Sequence, residues 1–247
     1  MHSVETLWQQ HHPLLGYPAG VVAVPTPISG LAFFPGGYGL WGATLGNPLP
    51  TFPVGGVMVL GHDFHSESGY AKSFPNGERL TIPTWRNLLA LLKEVGLAPE
   101  RCFFTNLYVG LREGSNNIGK FPGASDSAFV AHCKAFLLQQ FKYQRPSLIL
   151  TLGTYVPFVI GTMSPELAPW AFKRGLKHLD SVGPLQFNVS FPSIEDFKTS
   201  VVALIHPSMR ESNLRHRQYG GFVGNKAELA MMKDGLEAAS SSRTNRL

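Results

Sequence analysis

A histidine, an aspartate, a second histidine and a glutamate fall within the six positions His62-Asp63-Phe64-His65-Ser66-Glu67, straight after the apolar run Val57-Met58-Val59-Leu60 and Gly61. Far down the chain, Val201-Val202-Ala203-Leu204-Ile205 likewise stops at His206-Pro207-Ser208. A third junction is Phe103-Phe104-Thr105-Asn106. The three kinds of side chain have complementary chemistry. A carboxylate such as Asp63 steadies a developing cation and orients water. An imidazole such as His206 donates a hydrogen bond to a developing anion. An amide such as Asn106 offers both a donor and an acceptor, so it reads an edge of a ligand. Each has a plainer job when taken alone: Asp63 as a turn cap, Asn106 as a loop cap, His206 as the end of a strand. His62 and His65 flank Asp63 at a spacing that is only weakly metal-like. No further ligands match it, so no metal is expected.

The elements that must position these groups read as buried strands. Continuous apolar runs are expected where a parallel sheet is covered on both faces. Gly56–Leu60, Arg101–Leu107, Ser147–Leu152 and Ser200–Ile205 fit that description, and Leu185–Ser190 reads as an edge strand. Between them, Trp85, Leu88, Leu89, Leu91 and Leu92 repeat at helical spacing after Thr84, a candidate cap. Asp126 is placed to cap a helix over Ser127–Tyr143, Thr154–Ile160 reads as a short helix, and Asn225–Ala239 as the last one. The expected fold class is α/β, a three-layer α/β/α domain around a mainly parallel four-stranded sheet. Ligands of such sheets bind at the carboxyl ends of the strands.

The organisation expected is an N-terminal arm over residues 1–55, the α/β domain over 56–239 and a disordered tail over 240–247. The arm is dense in Gly and Pro, interleaved with Phe33, Phe34, Tyr38 and Trp41, after a short helix at Val4–His11. Its aromatics argue for packing on the domain rather than disorder. Of 247 residues 44% are hydrophobic, enough for a core, and the net charge of +5 permits a polyanionic partner. Cys102 and Cys133 are the two cysteines; both read as buried thiols, too few for a four-cysteine cluster. With no signal-like leader and no long apolar span, a cytoplasmic protein without membrane contact is expected.

Four motifs in order resemble the uracil-DNA glycosylase superfamily. Gly61-His62-Asp63-Phe64-His65-Ser66 is similar to the family's G-Q-D-P-Y-H, and Phe103-Phe104-Thr105-Asn106 to its strand ending in asparagine. Arg145-Pro146-Ser147-Leu148-Ile149-Leu150-Thr151-Leu152-Gly153 looks like its R-P-x-x-I-x-x-L-G strand, and His206-Pro207-Ser208 like its H-P-S. The resemblance implies the family's fold and a monofunctional, monomeric DNA glycosylase without cofactor. Asp63 and His206 would be catalytic, and Asn106, His65, Phe64, Gly61 and His62 would hold the base. Phe74 is weakly favoured over Phe64 as the ring under it. Such enzymes take the base out of the stack before acting on it.

Departures from the family pattern fall at the pocket. His65 stands where the uracil-specific enzymes have a tyrosine that excludes a 5-methyl group, with Phe64 and Ser66 beside it in place of proline and histidine. They imply a wider pocket, fit for a uracil or a larger modified pyrimidine, in repair or in defence against phage DNA with modified bases. The stretch after His206 reads as a DNA-facing loop: Ser208, Arg210, Asn213, Arg215 and Arg217 toward the backbone, Met209 or Leu214 into the gap of a flipped base. Lys72, Arg86 and Lys120 are further phosphate candidates. Glu67 and Glu113 suit DNA only as acceptors from an amino group, as on cytosine. The rival readings are a non-catalytic sensor of damaged or modified DNA and a hydrolase of free nucleosides or nucleotides.

Overall fold

A computed structural model describes residues 3–11, 16–172 and 175–244. The chain runs through α1 (Val4–His11), β1 (Val21–Val22), β2 (Val57–Gly61), α2 (Glu67–Ser73), α3 (Pro83–Glu94), β3 (Cys102–Asn106), β4 (Leu111–Arg112), α4 (Ser127–Gln144) and β5 (Leu148–Leu152). It continues through α5 (Tyr155–Ile160), α6 (Gly175–Val182), β6 (Leu185–Ser190), β7 (Lys198–Leu204), α7 (Arg210–Asn213), β8 (Gln218–Tyr219), β9 (Phe222–Val223) and α8 (Asn225–Thr244).

The central sheet has five strands in the order β3-β2-β5-β7-β6. Four are parallel, and β6 pairs antiparallel with β7. The expected four-stranded sheet thus gains an antiparallel edge, because β6 folds back beside β7 instead of crossing over. β2, β3 and β5 are buried at every position, as their apolar runs require. Alternation along each strand then feeds two separate cores. Met58, Leu60, Phe103, Ile149 and Val201 face α4 residues such as Phe136 and Leu137. Val57, Val59, Phe104, Leu150 and Val202 face Trp85 and Leu88 of α3 and Met231 of α8.

Local signals explain several helix starts. Asp126 Oδ1 accepts from Phe129 N–H at 2.8 Å and caps α4. α3 starts without a side-chain cap: Ile82 holds the cap position and Pro83 opens the helix, so Thr84 is already inside it. α2 went unread in the sequence. It begins because Ser66, buried, accepts from Gly69 N–H at 3.3 Å. α8 continues to Thr244, past the expected end at Ala239, so the tail is helical through 244 and only its last residues, 245–247, lie outside the described part.

The Gly/Pro-rich arm closes the sheet. Phe34 N–H donates to Phe104 O at 2.9 Å, Asn106 N–H to Phe34 O at 3.0 Å and Phe104 N–H to Gly39 O at 2.9 Å. These bonds occupy the open edge of β3, which would otherwise offer unpaired donors and acceptors to other chains. Adjacent side chains straddle that edge: Phe34 enters one core and Phe33 the other. No helix among the described residues is long and apolar enough to cross a membrane.

Candidate active site

The parallel strands bring their carboxyl ends to one edge, where a cavity of about 640 Å³ opens. Gly61, His62, Asp63, Phe64 and His65 line it from the end of β2, and Asn106 from the end of β3. His206, Ser208, Met209 and Asn213 line it from beyond β7. The volume is in the range of small-molecule pockets.

Asp63 is held by three donors. Arg112 Nε and Nη2 donate to Oδ2 and Oδ1 at 2.8 and 3.1 Å, and His62 Nδ1 lies 2.6 Å from Oδ1. Burial opposes the charge on this carboxylate. The hydrogen bonds and charges of His62 and Arg112 outweigh that and hold its pKa below the ordinary 3.8. Asp63 is therefore ionised near neutrality and too weak a base to take a proton readily. The His62 ring stacks on Tyr155, with centroids 4.7 Å apart, and its Nε2 is buried with no hydrogen-bond partner among the described residues.

Arg112, 4% exposed, was missed in the sequence, where it reads as one cation in a Gly- and Asn-rich loop. Its remaining bonds go to the backbone: Nη2 to Gly119 O at 2.8 Å, and Nη1 to Ile118 O and Lys120 O, both at 3.2 Å. Every guanidinium donor is thereby used. Arg112 ties the 113–121 loop over the site as well as orienting Asp63. From that loop, Asn117 Oδ1 accepts from Ser66 N–H at 2.9 Å and lies 2.9 Å from His65 Nδ1.

The pairing has a consequence for stability. An aspartate whose folded pKa is depressed stabilises the native state above its unfolded pKa, and that stability is lost as pH falls through the folded value. Urea unfolding of the parent is expected to show a decline in stability below about pH 3.8 that Asp63→Asn flattens. Parallel pH profiles for the two proteins would contradict the pairing.

His206 is prepared as a donor. Ser208 N–H donates to its Nδ1 at 3.4 Å, and Ser208 Oγ lies 2.8 Å from the same nitrogen. An Nδ1 that accepts leaves the proton of the neutral ring on Nε2. Burial lowers the pKa of His206 below 6.5; His62 adds to this and Asp63 opposes it. The turn beneath is pinned by Asn87 Nδ2 donating to Pro207 O at 2.8 Å and by Ile205 N–H donating to Glu228 Oε1 at 2.7 Å.

Asn106 Nδ2 donates to Phe34 O at 3.2 Å, so the arm fixes the amide plane. Gly61 is required opposite it: a Cβ there would lie 2.4 Å from Asn106 Oδ1. Phe64 is packed under the arm, where a Cβ on Gly36 would strike its ring at 2.3 Å. Phe74 does not line the cavity; it is 49% exposed and packs on Tyr70 at a centroid distance of 5.7 Å. Phe33 of the arm takes the wall position instead, beside Glu78. Neither Phe33 nor Glu78 carries a motif, so only the fold reveals them.

The loop after His206 divides. Met209, 53% exposed, stands at the cavity rim, and Ile118, 83% exposed, lines it from the Arg112-bound loop. Leu214 is half-buried and outside the lining. Arg210 and Arg217, expected to face DNA, are both buried. Arg210 pairs with Glu228 and donates to Asn225 Oδ1 at 2.7 Å. Arg217 lies 3.1 Å from Asp180 and donates to Ala203 O at 2.8 Å. Their partners sit on helices distant in sequence, which is why an arginine-rich run passed for a surface. Arg215 is exposed, and with Lys177 and His216 it lines a second cleft that shares Thr154, Leu176 and Asn213 with the cavity. Lys72, Arg86 and Lys120 are exposed. Glu67 Oε2 accepts from Gly114 N–H at 2.7 Å, and neither Glu67 nor Glu113 lines the cavity. Among the described residues, no cluster of histidine, cysteine and acidic side chains is arranged to hold a metal. No protein-family model matches the chain, and no curated protein is significantly similar to it.

Proposed function

We propose that the protein is a monofunctional DNA glycosylase of the uracil-DNA glycosylase type, acting on a flipped uracil or modified pyrimidine. One observation carries the reading: an ionised Asp63, a neutral His206 with its proton on Nε2, and a fixed Asn106 meet in one cavity at the carboxyl edge of the sheet. Breaking the N-glycosidic bond sends the bonding electrons to the base and leaves a cation on the sugar. Asp63 stabilises that cation by charge rather than by proton abstraction. His206 Nε2–H stabilises the anion on the base. Water then adds to the sugar carbon, and its surplus proton passes through solvent to the base anion, giving an abasic site and the neutral base.

Phe33 and Phe64 supply rings against which the base rests, and Met209 suits the gap left in the stack. The second cleft suits the flanking backbone, with Lys177, Arg215 and His216 toward phosphates. A second reading has its own support. Arg112 neutralises part of the Asp63 charge, and a site of that kind favours a sensor that holds a modified base without releasing it.

The test is abasic-site formation on oligonucleotides carrying uracil, mispaired thymine or 5-substituted cytosines and on phage DNA with bulky modified bases, scored by alkaline cleavage. Sites that form with the parent and not with Asp63→Asn are expected. DNA binding without sites on any substrate would select the sensor, and activity confined to free nucleosides would select the hydrolase. Binding is also expected to weaken steeply with salt, and Arg215→Ala to lower the logarithmic salt slope by about 1. An unchanged slope would remove Arg215 from the DNA contact.

A further inference from the structure

Glu78 lies between α2 and α3, on the cavity wall next to Phe33. The arm holds it from both ends. Its backbone N–H donates to Leu31 O at 2.6 Å, and its Oε2 accepts from Phe33 N–H at 3.0 Å. The two segments meet glycine against glycine: a Cβ on Gly30 would lie 3.0 Å from the Gly77 backbone. The carboxyl group is therefore fixed before any ligand arrives, which is what selective reading of a base requires. No cation forms an ion pair with it among the described residues. A carboxylate has about four lone-pair positions; the Phe33 amide fills one, and the Trp85 indole N–H is a second, weaker donor.

Nothing in the bond-breaking step uses this group. Burial pushes its pKa from 4.5 up to about 7, against the pull of the Phe33 N–H and the Trp85 indole. An under-supplied acceptor of this kind gains from a ligand that brings N–H donors into the cavity. To the ionised carboxylate, the ring edge of a 4-amino pyrimidine brings such a donor, whereas a 4-oxo pyrimidine such as uracil sets a carbonyl oxygen against it; below about pH 7 the protonated carboxyl donates to that oxygen instead, so the discrimination belongs to the ionised form.

We infer that Glu78 is a specificity-determining residue that accepts a hydrogen bond from an exocyclic amino group on the flipped base, so the site takes a cytosine-type base in preference to a uracil-type one. The inference rests on the proposed function and narrows its substrate class. His65, where the uracil-specific pattern has tyrosine, leaves such a base free to carry a substituent at C5.

The experiment measures binding in an Asp63→Asn background, which separates reading from cleavage. Single-stranded oligonucleotides identical except for one cytosine, 5-methylcytosine, uracil, thymine or abasic site compete for the protein. At pH 8, where the Glu78 carboxyl is mostly ionised, cytosine-type bases are expected to bind about 10- to 100-fold tighter than their uracil-type counterparts. Adding Glu78→Gln, whose amide offers donors to a carbonyl, is expected to abolish or reverse that ratio. Glu78→Asp, checked for a parental melting curve, is expected to keep its direction. A ratio favouring uracil, or one that Glu78→Gln leaves unchanged, would overturn the inference while base release from uracil by the Asp63 protein would leave the glycosylase reading standing. If no base binds better than the abasic oligonucleotide, the cavity is not a base pocket and both readings fall.

Discussion

Arg112→Ala is expected to be the most damaging single substitution at the site, costing about 3–5 kcal/mol of stability together with base release. The reason is the double duty of the side chain. It offsets part of the Asp63 charge through two bonds and ties the backbone at Ile118, Gly119 and Lys120 through three more. Truncation leaves Asp63 with His62 as its remaining partner and strands three carbonyl groups. Asp63 also regains basicity, since Arg112 helps to hold its pKa down. Arg112→Lys is expected to rescue little, because an ammonium group cannot reproduce a planar fork. Urea unfolding measures the stability, and protease cleavage within 113–121 reports the freed loop. A variant with parental stability and a protected loop would show that the clasp carries little energy.

The second large effect is catalytic. His206→Ala is expected to lower the rate of base release about 10²- to 10³-fold, the usual loss when one preorganised donor to a developing anion is removed. DNA affinity should change little, because the positive groups of the adjoining cleft are untouched. The imidazole is held by Ser208 on one side and is not part of the hydrophobic cores, so the fold should survive. Single-turnover rates with excess protein separate this from a binding defect. A fall in affinity with an unchanged rate would place His206 in recognition instead of chemistry.

Much of the frame could be read from the chain. The buried strands announce themselves because a parallel sheet covered on both faces tolerates only apolar runs, and Asp126 marks the start of α4 by a purely local rule. Asp63, Asn106 and His206 could be found because each follows such a run. What escaped depends on long-range packing. Arg112 lies 49 positions from Asp63, and Glu78 lies 45 positions from Phe33, whose amide fixes it. No periodicity links such pairs. Arg210 and Arg217 were misplaced for the converse reason: buried ion pairs with Glu228 and Asp180 look, in one dimension, like surface charge. The arm kept its purpose hidden because irregular backbone leaves no pattern, even where it completes the edge of a sheet.

The proposal that Asp63 and His206 break an N-glycosidic bond in DNA stands or falls on the release of free base. Mass spectrometry of the small-molecule fraction after single-turnover incubation, on DNA containing uracil, cytosine and 5-substituted pyrimidines, tests it most directly. A free base released in equal number with new abasic sites is expected, with Asp63→Asn and His206→Ala still binding the DNA but releasing little or none. DNA bound tightly by all three proteins with no free base from any of them would contradict it.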